Sequence, residues 1–196
     1  GVLRFAVNPN SPTGVWMRPE ALEEILAPAA GVVAIDEAYC DFAPTSCLPL
    51  LPRHEGWLVL RTFSKSHALA GLRVGYAVGA PELNADLEAV KDSYPVDRGA
   101  IAGCIAALGD DAHHRRIVDT VVEQRGRLTG ALRGMGWDTV DSGANFVFAR
   151  PPGGDARAVQ ERLREAHILV RWFAVYPDRL RRSVGAPDEV GRLLAV

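Results

Sequence analysis

The sequence predicts an α/β fold: a mostly parallel sheet with flanking helices, followed by a small α+β unit. Short β-branched runs alternate with helix-period segments over the first hundred residues, as in a sheet covered by helices. Those runs show no polar alternation, as expected of strands buried on both faces. Beyond Pro95 the texture changes to a long amphipathic helix with shorter strands after it. The expected division is therefore 1–111 and 112–196.

The elements follow in order. Val2–Val7 is an apolar run stopped by Asn8-Pro9-Asn10-Ser11-Pro12-Thr13-Gly14, a dense turn signal. Pro19–Leu26 carries Ala21, Leu22, Ile25 and Leu26 at helical spacing. Val32–Ile35 reads as a buried strand ending in Asp36-Glu37, and Trp57–Leu60 as another ending in Thr62-Phe63-Ser64-Lys65. Arg73–Val78 is expected as a fourth strand, closed by Gly79. Helices are expected over Ala100–Leu108 and Ala112–Leu132, the second stopped by Gly134-Met135-Gly136. A strand Phe146–Ala149, a helix Ala156–Ala166, and strands Ile168–Trp172 and Arg181–Val184 complete the pattern, with Pro187-Asp188-Glu189 opening a last helix.

Composition narrows the function classes. The 196 residues carry a net charge of −2, with 48% apolar and 23% charged residues. That is a globular composition, without the basic field of an electrostatic nucleic-acid binder. No run of 18 apolar residues exists, so no membrane span is expected. The opening residues do not read as a signal peptide but as the inside of a strand. Three cysteines (Cys40, Cys47, Cys104) form no CxxC pair, which suits a reducing cytoplasm rather than a disulfide framework or zinc site. His113-His114 with Arg115-Arg116 reads as a solvated helix start, and no metal site is expected.

Chemistry concentrates at the strand ends. Of 22 basic residues two are lysine, Lys65 and Lys91, and the other 20 are arginine. Lysine can lose its proton and act as an amine nucleophile, and arginine cannot. Lys65 lies in a Ser64-Lys65-Ser66 turn, with Arg73 eight residues on. An amine beside small hydroxyls and a guanidinium suits an aldehyde that carries a phosphate. The same residues also fit an ordinary charged surface loop. Asp36 follows Val-Val-Ala-Ile, where a carboxylate needs a cation or donor. A protonated pyridine nitrogen would serve; so would a helix cap or an arginine. Three strands thus end in polar clusters, where ligands bind in such sheets.

Taken together, NPNSPTG (8–14), DEAY (36–39) and RTFSKSHALAGLRVG (61–75) resemble the class I/II aminotransferases, pyridoxal-phosphate enzymes of fold type I. Within that family they most resemble the histidinol-phosphate aminotransferase subgroup. VKDSYPVDR, SGANFVFAR, ILVRWF and LRRSVG fit the same subgroup. The resemblance implies a pyridoxal 5′-phosphate cofactor carried by Lys65, with Asp36 on its ring nitrogen and Tyr39 on its phenolic oxygen. Thr62, Ser64 and Arg73 would take the phosphate. Arg181 would hold a substrate carboxylate, Asn145 would approach the substrate, and Arg171 is the candidate for a substrate phosphate or a structural ion pair. The implied reaction converts histidinol phosphate and 2-oxoglutarate into imidazole-acetol phosphate and glutamate. Aromatic amino-acid transamination, a threonine-phosphate decarboxylase-like reaction and a catalytically silent dimerising module are the alternatives. The implied partners are an amino donor, a phosphorylated keto substrate and a second copy of the chain.

The sequence departs from the family pattern in two places. Ser11 stands where NPNNPTG has its second adjacent asparagine, so Asn10 or Ser11 is expected to serve the phenolic oxygen. Pro95 replaces the more usual asparagine of DSYNVD. The chain also opens at the strand before NPNSPTG, from which a truncated fragment, or one half of a two-chain protein, is expected, with poor activity alone.

Overall fold

Four strands build the first sheet in the order β1 (Leu3–Val7), β2 (Val32–Asp36), β3 (Trp57–Thr62) and β4 (Gly75–Gly79). In this computed structural model, residues 2–28 and 30–196 are described. β1 and β3 both run parallel to β2, with Val7 opposite Asp36 and Asp36 opposite Leu60. β4 returns antiparallel, with Gly75 opposite Thr62. The carboxyl ends of three parallel strands therefore share one edge, and Asn8, Asp36 and Thr62 emerge there.

Helix α1 (Pro19–Leu26) has Pro19 in its first turn, where the missing N–H costs no hydrogen bond. It buries Leu22 and Leu26 against Val33, Ile35, Trp57 and Val59 of the sheet. Two helices follow β4: α2 (Pro81–Val90) and α3 (Arg98–Leu108). The Asp97 side chain caps α3 by accepting from Ala100 N at 2.9 Å.

A second sheet is wholly antiparallel, in the order β5 (Asp138–Thr139), β6 (Phe146–Arg150), β8 (Tyr176–Ser183) and β7 (Arg171–Phe173). Its helices are α4 (Asp111–Gly134), α5 (Ala156–Glu165) and α6 (Pro187–Leu194). Leu128 and Leu132 of α4 join Val147, Ala149, Val184 and Val190 in its core. The chain forms two compact units that part inside α4, after Ile117. The segment Asn10–Val15 belongs to the second unit, although its flanks belong to the first. Gly14 shows how tightly that segment sits. Its φ is +81°, and an added Cβ would lie 2.4 Å from Ser142 Oγ, so only glycine fits.

Several expectations need correction. Arg73 does not begin a strand; it stands in a left-handed conformation (φ 56°, ψ 40°) after the short turn Ala70–Leu72, and β4 starts at Gly75. β7 begins at Arg171 rather than Ile168, and β8 begins at Tyr176 rather than Arg181. α2 lies where no element is expected. His114 is not simply solvated: its ring stacks on His67 with centroids 4.3 Å apart.

Below the β2 and β3 ends lies a polar network. Glu37, fully buried, accepts from Arg61 Nε at 2.9 Å and from Ser46 Oγ at 2.7 Å. Arg61 also donates to Asp41 Oδ1 at 2.7 Å and to Ser46 Oγ at 2.9 Å. Burial, and next the Glu37 charge, push the Cys40 and Cys47 thiols up from 9.0 to about 12. Their folded values lie above the unfolded ones, so this contribution to stability is intact below pH 9 and is lost as pH rises from there towards 12. At pH 8 the native thiols should alkylate about a thousandfold more slowly than in urea, following the thiolate fraction. Iodoacetamide labelling followed by peptide mass mapping checks this, and equal rates in both states would refute it.

Candidate active site

Each expected site residue can be located within one of the two units. In the first unit, a cavity of about 290 Å³ opens at the strand ends, lined by Asp36, Ala38, Thr62, Ser64, Arg73 and Gly75 among others. Asp36 ends β2, and its Oδ1 accepts from Ala38 N at 2.9 Å. That bond fixes the carboxylate and leaves acceptor capacity for a further donor. Among the described residues no arginine pairs with Asp36, so the ion-pair reading of this carboxylate is not what the fold uses.

Thr62 closes β3. Its hydroxyl accepts from Ser64 N at 3.0 Å and donates to Val74 O at 3.3 Å, which bends the chain into the Ser64-Lys65-Ser66 turn. The left-handed Arg73 sends its guanidinium back over this turn, donating to Ala70 O at 2.8 Å and reaching Ser64 Oγ at 3.5 Å. The Thr62 and Ser64 side chains, the Arg73 guanidinium and the Asp36 carboxylate thus line the same cavity. A guanidinium beside a hydroxyl is a donor set that suits an oxyanion. The Lys65 amine lies 5.2 Å from the centroid of the Tyr39 ring, in cation–π range.

The second unit holds the other expected residues. Asn10 Oδ1 accepts from Thr13 Oγ1 at 3.1 Å, so this side chain is engaged within its own turn. Ser11 Oγ accepts from Arg181 Nη1 at 3.1 Å. Arg181 lies over Phe146 and Phe173, and its Nε is buried without a hydrogen-bond partner. Arg171 stands directly opposite Arg181 across the β7–β8 ladder. Like charges directly opposite repel, and among the described residues neither guanidinium has a carboxylate partner. Two unpaired guanidinium groups thus face one another across this ladder. Asn145 offers its backbone carbonyl to Val184 N at 2.8 Å, tying the start of β6 to the end of β8.

The structure adds residues that the sequence motifs named but did not assign. Glu37 and Arg61 sit at the ends of β2 and β3, and their opposite charges on buried strand ends are the signal that pairs them. The larger cavity, about 490 Å³ in the second unit, has mostly apolar walls and touches none of the expected site residues. Size alone is a poor guide to the site here.

The family model of aminotransferase class I and II matches residues 4–196, and the chain belongs to that family. The histidinol-phosphate aminotransferase of Syntrophotalea carbinolica is 41% identical over 197 residues, covering 100% of this chain and 57% of that protein. Histidinol-phosphate aminotransferase 2 of Thiobacillus denitrificans is 49% identical over 194 residues, covering 95% and 54%. Among solved structures, the histidinol-phosphate aminotransferase from Sinorhizobium meliloti in complex with pyridoxal-5′-phosphate superposes with a TM-score of 0.88 at 29% identity, covering 99% of this chain and 56% of that one. The chain thus spans a little over half the length of the curated relatives it matches. No helix among the described residues is long and apolar enough to cross a membrane.

Proposed function

We propose that the protein is a pyridoxal 5′-phosphate-dependent aminotransferase that interconverts histidinol phosphate and 2-oxoglutarate with imidazole-acetol phosphate and glutamate. The observation that carries this reading is the first-unit cavity, where Asp36 and the Thr62, Ser64 and Arg73 side chains line one space and Lys65 follows Ser64. These residues fit the cofactor: an anion wall for its phosphate, a carboxylate for its ring nitrogen and a scarce amine for its carbonyl. When bound, the cofactor supplies a carbonyl that captures amines and a ring that withdraws electrons from the substrate α-carbon.

The remaining roles belong to the chain itself. Asp36 would keep the ring nitrogen protonated, and its bond from Ala38 N holds it oriented. Thr62, Ser64 and Arg73 would hold the phosphate. Tyr39 would donate to the phenolic oxygen, assisted by Asn10 or Ser11. Within the second unit, Asn10 is engaged by Thr13 and Ser11 by Arg181. The Lys65 amine takes the substrate α-proton and returns it to the carbon that completes the exchange, which requires its neutral form. Arg181 would bind the glutamate carboxylate and Arg171 the substrate phosphate, with Asn145 near them.

A homodimer in the cytoplasm goes with this reading. Support comes from the three buried free cysteines and from the apolar stripe Ile101, Ile105 and Leu108 left exposed along α3.

The test is a substrate comparison. Glutamate should aminate imidazole-acetol phosphate faster than phenylpyruvate. A cofactor bound to Lys65 would also absorb visible light, and tritiated borohydride should bleach that absorption and leave tritium on Lys65. Arg171→Gln should raise KM for histidinol phosphate roughly tenfold or more, the worth of a charge-assisted hydrogen bond, and leave KM for glutamate almost unchanged. Equal changes in both would remove Arg171 from phosphate binding. A colourless protein that takes no label would remove the reading altogether.

A further inference from the structure

We propose that Asp41, His67 and His114 form a binding site for a divalent transition-metal ion of the zinc class, tying helix α4 to the turn that carries Lys65. One ligand atom from each residue lies within 4.8 Å of the other two. His114 Nε2 is buried and has no hydrogen-bond partner; Asp41 Oδ2 stands 3.6 Å from it. A buried ring nitrogen without a partner costs free energy that a metal ion would recover.

The surroundings suit the ion. Arg61 donates to Asp41 Oδ1, which leaves Oδ2 facing the histidines. The Ser66 hydroxyl bonds Asp41 Oδ2 and lies 3.2 Å from His67 Nδ1. With its proton on Asp41, that hydroxyl can accept from a protonated His67 Nδ1 and so fix the tautomer of that ring. Supporting bonds of this kind fix the tautomer of a metal-binding histidine. Formal charge also favours a cation: Arg61 faces both Glu37 and Asp41, so the trio carries a net −1.

Two imidazoles and one carboxylate make a three-ligand set with open positions, suited to zinc, cobalt or nickel over the oxygen-seeking magnesium and calcium. Ligands at zinc distances lie about 3.3 Å apart in a tetrahedron, so the cluster must contract. The rings, now stacked with planes 25° apart, must turn to aim both lone pairs at one point. His67 is two residues beyond Lys65, and its movement would bear on that turn. The site is separate from the residues assigned to the cofactor and stands whether or not the proposed reaction holds.

Calorimetric titration of the full chain with zinc chloride should give one equivalent bound in the micromolar range or tighter. His114→Gln and His67→Gln should each weaken binding about tenfold or more, as losses around a metal ligand do. His113→Gln, on the neighbouring exposed histidine, should leave it unchanged. Cobalt substitution should give a visible ligand-field band without a thiolate charge-transfer band, which also reports on variants that fold poorly. Binding kept within threefold in both glutamine variants, a thiolate band pointing to a cysteine, or no zinc bound at micromolar concentrations would each overturn the proposal.

Discussion

On the proposed reaction, Lys65→Arg should lower transamination by about two to four orders of magnitude, the scale of a lost proton-transfer group, although charge and approximate length are kept. The guanidinium cannot give up its proton near neutral pH, so it can neither add to a carbonyl nor take the α-proton. Lys65→Ala should fall as far, because the loss is chemical rather than steric. Lys91→Arg should change nothing: Lys91, just past the end of α2, pairs with Glu88 at 3.2 Å on a solvated surface. Rates with saturating glutamate, read beside borohydride labelling, check the three variants together. Residual activity in Lys65→Arg within tenfold of the parent would place the chemistry on another group.

The second large effect concerns stability. Arg61→Met should cost about 3–5 kcal/mol, the range for removing one partner of a buried ion pair. Glu37 has no exposed side-chain surface and would keep its bonds from Ser46 Oγ and Cys47 N, but lose its only basic partner among the described residues. Asp41 would lose the same neighbour. The double variant Arg61→Met/Glu37→Gln should recover most of the loss, because the stranded charge goes with its partner. Urea unfolding of both single variants and the double gives the coupling directly. Equal losses in Arg61→Met and in the double variant would show that packing, not charge, dominates.

The sequence reads well wherever one signal sufficed. Helix α1 is legible from Pro19 in its first turn and from apolar residues at helical spacing. The strands at Val32 and Trp57 are legible because β-branched and large apolar residues run without interruption, and burial of Val33, Ile35 and Val59 explains why they must. β4 was harder. Leu72, Val74 and Tyr76 alternate as a strand would, but the left-handed turn at Arg73 breaks the register, and no residue type announces it. α2 escapes because it buries none of its residues, so tertiary packing wrote no constraint into 81–90 beyond Pro81 in its first turn.

The site divides in the same way. Asp36, Thr62, Ser64, Lys65 and Arg73 are legible because strand ends focus polar residues on a sheet edge. Arg171 and Arg181 lie ten residues apart, and only the antiparallel β7–β8 pairing makes them neighbours. The contact of Arg181 with Ser11 spans 170 residues, a closeness that spacing cannot disclose. The histidines of SKSH and of the α4 start meet for the same reason, through tertiary contact alone.

The backbone at Arg73 has one more consequence. An arginine side chain resists a φ of 56°, whereas glycine, with no Cβ, rests there freely and asparagine visits it more readily. The protein therefore tolerates a local deformation so that a guanidinium, and not a more relaxed residue, overhangs Ser64. If Arg73 holds the phosphate as proposed, selection for heat resistance and selection for that role pull this position in opposite directions, so a hardier descendant would need to gain its robustness elsewhere in the molecule.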